Sequence, residues 1–425
     1  MKKKIYDIVF CGLPTFRIVL LCFCFSISQI VSAQKEPATE KIRVNPSAAM
    51  GGTVSQYIEK VNFIPFESTA ESAFGNIDQL EITDKYYIIL DNTDTQSILI
   101  FTKQGKFHAK IEGQKIYPQH PNFYSFKFDK QTNLIKINYA FDVFFFDLDG
   151  KLVTRHKSSI DQYFGTETSL GGKFSGHYSY SPQWPFPKTD NIGYELMVLE
   201  EGKLKQKYLP YATNVKYDDS EGSQSHIDFY PDYSSIDSAI YYTREYDYNI
   251  YRLTPHTLHA AYQFIFPLQV SLPKNFRTDT SFNGKRQKYL KGNRDLIYKV
   301  GNFYKSGDYL FFKALTDNFS NLSYIYNIHS QSLICINKIV SDASSYFLPV
   351  TDAEVGGLDF TNRGIMQFDG DSFYTSYSSL VLFYRMEASK NKHPQYPLSL
   401  LKYFSNKSNL KGNPVLVQIK FKPAL

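Results

Sequence analysis

A short polar turn carrying Gly-Lys and flanked by two apolar runs recurs along this chain. Ile98 to Ile111 has its turn at Gly105-Lys106, Val143 to His156 at Gly150-Lys151, and Leu196 to Tyr208 at Gly202-Lys203. The turn glycines are 45 and 52 residues apart. That is too far for successive hairpins and too irregular for a solenoid coil, but it fits one four-stranded propeller blade per period. Each run alternates or is apolar throughout over five to seven residues, the length of a strand.

Around these turns the chain divides into six units. The first holds strands expected at 78–82, 86–90, 97–101 and 106–111, and the second at 124–128, 134–138, 142–146 and 151–155. The third runs from about Phe174 to Leu209. The fourth is built on 238–242, 249–253 and 259–264, with Thr254-Pro-His-Thr257 in place of the Gly-Lys turn. The fifth is built on 309–313, 323–327 and 332–337. The sixth has 364–368, 372–376 and, after an insertion, 415–421. Inside the insertion, Leu380–Ser389 and Ser399–Phe404 have helical apolar spacing and predict two short helices. A ring of blades cannot leave its first and last edges open. The lone strand at 59–66 is therefore expected to pair with 415–421. The fold class that follows is all-β: a six-bladed propeller spanning 57–423, closed by the N-terminal strand, with two short helices in its last blade. The 34 Tyr and 35 Phe suit pleated, half-buried surfaces and support that reading.

Residues 1–33 have another character. Lys2, Lys3 and Lys4 precede the apolar run Ile18–Val31 and the small residues Ser32-Ala33, the order of a secretory signal peptide. The run is shorter than the ~20 residues of a spanning helix, so cleavage after Ala33 is expected, with no transmembrane segment in the mature chain. Cys22 and Cys24 follow Leu21 and Phe23, whereas a lipid-acceptor cysteine follows a small residue, so a lipid anchor is not expected. Cleavage leaves Cys335 as the one cysteine and excludes an internal disulfide. Residues 34–56, rich in Pro, Ser, Ala and Gly without a period, read as a flexible lead-in.

Removing Lys2, Lys3, Lys4, Arg17 and Asp7 lowers the net charge from +6 to +3, too weak to argue for a nucleic-acid partner. The basic stretch Lys274 to Lys299 reads as a solvated inter-strand loop.

Ile64-Pro-Phe-Glu-Ser-Thr69, Gly75-Asn-Ile-Asp78, Leu90-Asp91, Ile100 to Lys106 and Asn413-Pro-Val-Leu-Val417 resemble the secreted six-bladed β-propeller proteins of Bacteroidota, related to NHL-like and TolB-like propellers. The resemblance covers about residues 57–423. It implies an exported protein of the periplasm or cell surface, in a group of mostly unassigned function often found beside glycan-uptake systems. The chain departs from the group in lacking a lipid-acceptor cysteine, and in having Glu112–Pro121 where a Gly-Pro-Gly-rich loop is usual.

No spacing is diagnostic of catalysis: there is no Gly-x-Ser-x-Gly elbow and no phosphate-binding glycine loop. His256 and His259 are three apart near a strand turn, which sends them to opposite sides. Asp91-Asn-Thr-Asp94 and Asp218-Asp-Ser-Glu221 gather oxygen atoms without the spacing of a calcium loop. The best binding candidate is His177 to Pro187, where Tyr178, Tyr180 and Trp184 stand among prolines and offer flat faces to a sugar ring or peptide. The reading is a non-catalytic binding or scaffolding propeller without a cofactor, whose partners are a glycan or peptide and envelope proteins. The alternative, implied by related propellers, is a hydrolase or lyase of lactonase or esterase type with calcium in the central channel.

Overall fold

In a computed structural model the described residues are 38–119, 121, 125–139, 142–157, 167–178, 193–211, 214–215, 228–233, 238–318 and 321–425. The expected signal peptide lies outside them. From residue 39 onward the chain forms one compact unit containing six small sheets of four or five strands.

Three strands come first: β1 (Glu40–Arg43), β2 (Met50–Thr53) and β3 (Ile58–Pro65). The first sheet follows as β4 (Gln79–Ile82), β5 (Tyr86–Asp91), β6 (Ser97–Thr102) and β7 (Phe107–Glu112). The second is β8 (Lys127–Asp129), β9 (Leu134–Tyr139), β10 (Asp142–Phe146) and β11 (Leu152–Lys157). The third is β12 (Glu167–Ser169), β13 (Phe174–Tyr178), β14 (Tyr194–Glu200) and β15 (Lys203–Pro210). The fourth is β16 (Asp228–Pro231), β17 (Ile240–Thr243), β18 (Asn249–Leu253) and β19 (Leu258–Ile265). The fifth is β20 (Lys299–Ser306), β21 (Tyr309–Leu315), β22 (Leu322–Asn327) and β23 (Leu333–Val340), and the sixth is β24 (Gln367–Phe368), β25 (Phe373–Tyr377) and β26 (Val415–Phe421). Strands within each of these runs pair in sequence order and antiparallel.

The Gly-Lys turns join third to fourth strands. Gly105, Gly150 and Gly202 have φ of 76°, 74° and 77°, a left-handed conformation that glycine adopts without steric cost. In the first, Gly105 N–H donates to Thr102 O at 2.8 Å and Thr102 N–H to Lys106 O at 2.8 Å. The pairing register shifts beside each turn, at 100/101, 145/146 and 198/199, as expected where a left-handed residue forms a bulge.

Strands β5 and β6 are apolar on both faces because a sheet lies on either side. Ile88, Leu90, Ile98 and Ile100 pack toward Ile135, Ile137, Phe144 and Phe146 of the second sheet. The alternate residues Tyr87, Ile89, Leu99 and Phe101 pack toward Phe66, Tyr374 and Leu416. Period-2 alternation thus serves two interfaces, and each such side chain contributes about 1.5–3 kcal/mol on full burial. Leu196 and Val198 meet Ile240 and Leu253 between the third and fourth sheets, and a larger cluster joins the fourth, fifth and sixth. Among the described residues, no buried apolar cluster spans the second and third sheets.

The N-terminal strands complete three sheets. β3 lies antiparallel on β26, from Val415 opposite Pro65 to Phe421 opposite Ile58. β1 and β2 require a correction to the flexible lead-in expected at 34–56. β1 runs parallel along β19, with Glu40 opposite Tyr262, and β2 runs parallel along β23. Edge pairing and burial of Ile42, Val44 and Val54 hold strands too short to show a period.

The insertion in the sixth sheet forms α1 (Ser379–Ala388) and α2 (Leu398–Ser405), where helices were expected. The basic stretch 274–299 is not simply a solvated loop. It contains a short helix at Arg286–Gly292, and Arg286 is 1% exposed, donating to the carbonyls of Phe276, Arg277 and Asp279. Among the described residues, no helix is long and apolar enough to cross a membrane.

The long connections 113–126, 211–227, 266–298 and 341–366 follow fourth strands, and 179–193 and 378–414 follow second strands. In an antiparallel sheet these positions are at one end, shared with shorter second-to-third turns such as 92–96, while the first-to-second and third-to-fourth turns lie at the other.

Candidate functional site

The second and third sheets meet through charged groups. Lys127 on β8 is directly opposite Lys136 on β9, a like-charge pair that would destabilise the sheet unless an anion bridged it. Glu167, on the first strand of the next sheet, supplies that anion. Its Oε2 is 2.9 Å from Lys127 Nζ and 3.4 Å from Lys136 Nζ. Glu167 is the register partner of His177 on β13, and its Oε1 is 4.0 Å from His177 Nε2. Ser175, two residues earlier on the same face, places Oγ 2.8 Å from the same nitrogen.

These groups control one another's protonation. Burial would raise the Glu167 carboxyl, but the two lysines outweigh it and hold the pKa at about 2. Burial lowers Lys127 to about 8, partly offset by Glu167. Burial also holds His177 at about 4, with the adjacent lysines opposing its protonation and Glu167 favouring it. At neutral pH Glu167 is therefore a carboxylate, Lys127 an ammonium and His177 a neutral imidazole. His177 is 7% exposed, and its Nδ1 is a buried polar atom without a hydrogen-bond partner among the described residues. An orphaned atom of this kind costs about 1–3 kcal/mol.

The Ser175–His177 contact does not have the geometry of a nucleophile triad. A triad carboxylate orients the imidazole through the nitrogen opposite the one facing serine. Here serine and glutamate both approach Nε2, and among the described residues Nδ1 has no hydrogen-bond partner. The arrangement presents fixed donors and acceptors.

The aromatic candidates divide. Tyr178 directly follows His177 but is 2% exposed, with Tyr211 Oη 3.4 Å from its own Oη. Its ring is packed within the protein. Tyr180 and Trp184 lie outside the described residues. The segment that bears them begins at the end of β13 occupied by His177 and Glu167.

Other first strands also carry ionisable groups. Lys299 on β20 is 1% exposed and pairs with Asp228 on β16 at 2.8 Å. Glu81 on β4 is raised to about 7 by burial, against an opposing pull from Lys130. Asp91, in a run whose spacing is not that of a calcium loop, accepts N–H bonds from Gly75, Asp94 and Thr95 at 2.9–3.3 Å, so its carboxylate closes a turn. Asp218–Glu221 lies outside the described residues. Among the described residues, no group of three or more His, Cys, Asp or Glu is arranged to hold a metal. Cys335 on β23 is fully buried, and burial raises its thiol pKa.

Lys127, Lys136 and Glu167 were not found from the sequence. Their one signal is charge at the first positions of β8 and β12 and inside β9, which has meaning only once the strands are paired across sheets.

A solved structure of a Bacteroides fragilis protein assigned as exported superposes with a TM-score of 0.63 at 13% identity, covering 90% of this chain and 99% of that one. At that identity it shows a shared fold. Weaker likenesses include virginiamycin B lyase from Staphylococcus aureus (TM-score 0.32, 12% identity, 65% of this chain and 73% of that). The Pan2 WD40 domain of Neurospora crassa also has a TM-score of 0.32, at 9% identity, over 62% of this chain and 66% of that. No curated protein matches in sequence. A family model described as a domain of unknown function, DUF4934, matches residues 42–420, and with nine-tenths of its length inside that match the chain belongs to the DUF4934 family.

Proposed function

We propose that this protein is an exported, non-catalytic binding propeller that takes a glycan or peptide at the end of its third sheet. The observation that carries the reading is the cluster of Lys127, Lys136, Glu167, Ser175 and His177. It is a preorganised set of donors and acceptors, without the opposed base and acid of a nucleophilic site, next to the start of a loop containing Tyr180 and Trp184. Polar groups would fix hydroxyl or amide positions while the aromatic faces stack. The supporting architecture is a ring of six blades closed through β3. Six sheets, the β3–β26 pairing and apolar or ionic contact between successive sheets favour it. Export rests on the leader-like order of residues 1–33.

The test is calorimetric screening of soluble glycans and peptides. With a ligand in hand, Trp184→Ala should weaken binding by about 1–3 kcal/mol and Lys136→Ala should weaken it as well, both with the fold retained. If both variants bind as tightly as the parent, the site is misassigned. Export is checked by mass measurement of secreted or periplasmic material, which should start at Gln34; an intact N-terminus or a lipid on Cys22 or Cys24 would refute it.

A further inference from the structure

Several of the large apolar side chains left in solvent belong to the 378–414 insertion. Leu380, Tyr384, Leu398 and Leu401 are 59%, 64%, 67% and 50% exposed. Their positions follow from helix geometry. In α1, Leu382 and Phe383 turn inward while Leu380 and Tyr384, one turn apart, share the outward face. In α2, Leu400 is buried, and Tyr403 and Phe404 pack on Phe383 at centroid distances of 5.5 and 5.2 Å, leaving Leu398, Leu401 and Lys402 outward. Both helices thus bury one apolar stripe and expose a second.

The same segment is strongly basic. Residues 378–414 contain Arg385 and five lysines against Glu387 alone, a net charge of +5. Arg385 is engaged by Glu354 and Lys390 by Glu387, each at 2.7 Å, whereas Lys392, Lys402, Lys407 and Lys411 are exposed with no acid of the segment left to pair with them. A protein-binding centre is depleted in charge and accepts anchors into pockets. Here apolar residues stand on outward helix faces with lysines around them, as on helices that lie in a lipid interface.

We infer that the 378–414 insertion docks on an anionic lipid surface, with Leu380, Tyr384, Leu398 and Leu401 entering the headgroup and acyl boundary and the lysines meeting lipid phosphates. Each lysine near such a surface adds attraction that salt screens, and each leucine adds a salt-insensitive part. The inference is independent of the ligand proposed for the third sheet.

Cosedimentation of the full chain with vesicles tests it, using equal parts phosphatidylglycerol and phosphatidylcholine against phosphatidylcholine alone. Any contribution of the apolar run 18–31 is common to all variants. The parent should prefer the anionic vesicles by about tenfold or more, and Lys402→Glu/Lys407→Glu and Leu398→Ser/Leu401→Ser should each lose about tenfold. Melting temperatures should be unchanged, because the altered side chains face outward; the single changes Lys411→Glu and Leu401→Gln serve if a double variant does not fold. Equal binding to both vesicle types overturns the inference, and so does undiminished anionic binding by folded variants. An acidic protein as the true partner would give the first of these results.

Discussion

Gly105 and Gly202 hold the same place in the turn motif, yet replacing each with alanine should have unequal effects. Their φ values are 76° and 77°, so the conformational penalty is shared. A left-handed L-residue costs roughly 1–2 kcal/mol, partly offset by the lower unfolded-state entropy of alanine, which leaves about 1 kcal/mol. The surroundings differ. A Cβ on Gly202 meets nothing within 4 Å, whereas one on Gly105 would be 2.2 Å from the carbonyl oxygen of Pro65. That oxygen is backbone in β3, opposite Val415, and Gly105 O is itself bonded to Glu67 N at 2.8 Å, so neither side can swing away. Carbon and oxygen in contact sit about 3.3 Å apart, so a shift near 1 Å is forced on a packed strand, a distortion of the overpacking kind worth about 1–3 kcal/mol. Gly202→Ala should therefore cost about 1 kcal/mol and Gly105→Ala about 2–4 kcal/mol. Urea unfolding followed by tyrosine fluorescence would compare midpoints at matched slopes. Equal losses would show that the turn is indifferent to its contact with β3 and would refute the packing argument.

Two further outcomes follow from buried charge. His177 titrates at about 4 in the folded chain and near 6.5 unfolded, so the unfolded state binds the extra proton between those values. Stability should be complete above pH 6.5 and fall by up to about 3 kcal/mol as pH drops to 4, while His177→Gln should flatten that segment of a melting-temperature profile. Glu167, held at about 2, extends the loss below pH 4.5 through its lysine pairs in parent and variant alike. Arg286→Met should cost about 2–3 kcal/mol, because the buried carbonyl of Phe276 and the part-buried carbonyls of Arg277 and Asp279 lose their donor, and limited proteolysis should cut first within 274–298; unchanged melting and cleavage would show the carbonyls to be satisfied otherwise.

Strands whose residues face two neighbouring sheets were legible, since runs such as Tyr86–Asp91 and Ser97–Thr102 must be apolar throughout. The insertion helices were legible for a related reason: Leu380, Phe383 and Tyr384, and likewise Leu400, Tyr403 and Phe404, stand three and four residues apart, a helical period and not a strand's. Glu40–Arg43 and Met50–Thr53 were not, because a four-residue parallel edge strand gains its stability from a partner more than 200 residues away. The charged cluster was hidden similarly. Lys127 and Glu167 are 40 residues apart in sequence and acquire meaning only through cross-sheet contact. Arg286 misled because a basic run reads as solvated until carbonyls are seen to enclose one member of it.

The placement of β1, β2 and β3 has a kinetic consequence. Residues 40–65 form one continuous ribbon that supplies an outer strand to each of three successive sheets, yet their partners lie between residues 258 and 421. The ribbon is made well before its partners, which emerge in turn as residues 258–265, 333–340 and 415–421. Loops of this length close slowly, and the fourth, fifth and sixth sheets reach their full complement of strands only once β19, β23 and β26 respectively have been made. A chain built this way stays incompletely folded throughout its synthesis and then locks three sheets together with one segment. Cutting that ribbon once should loosen all three together.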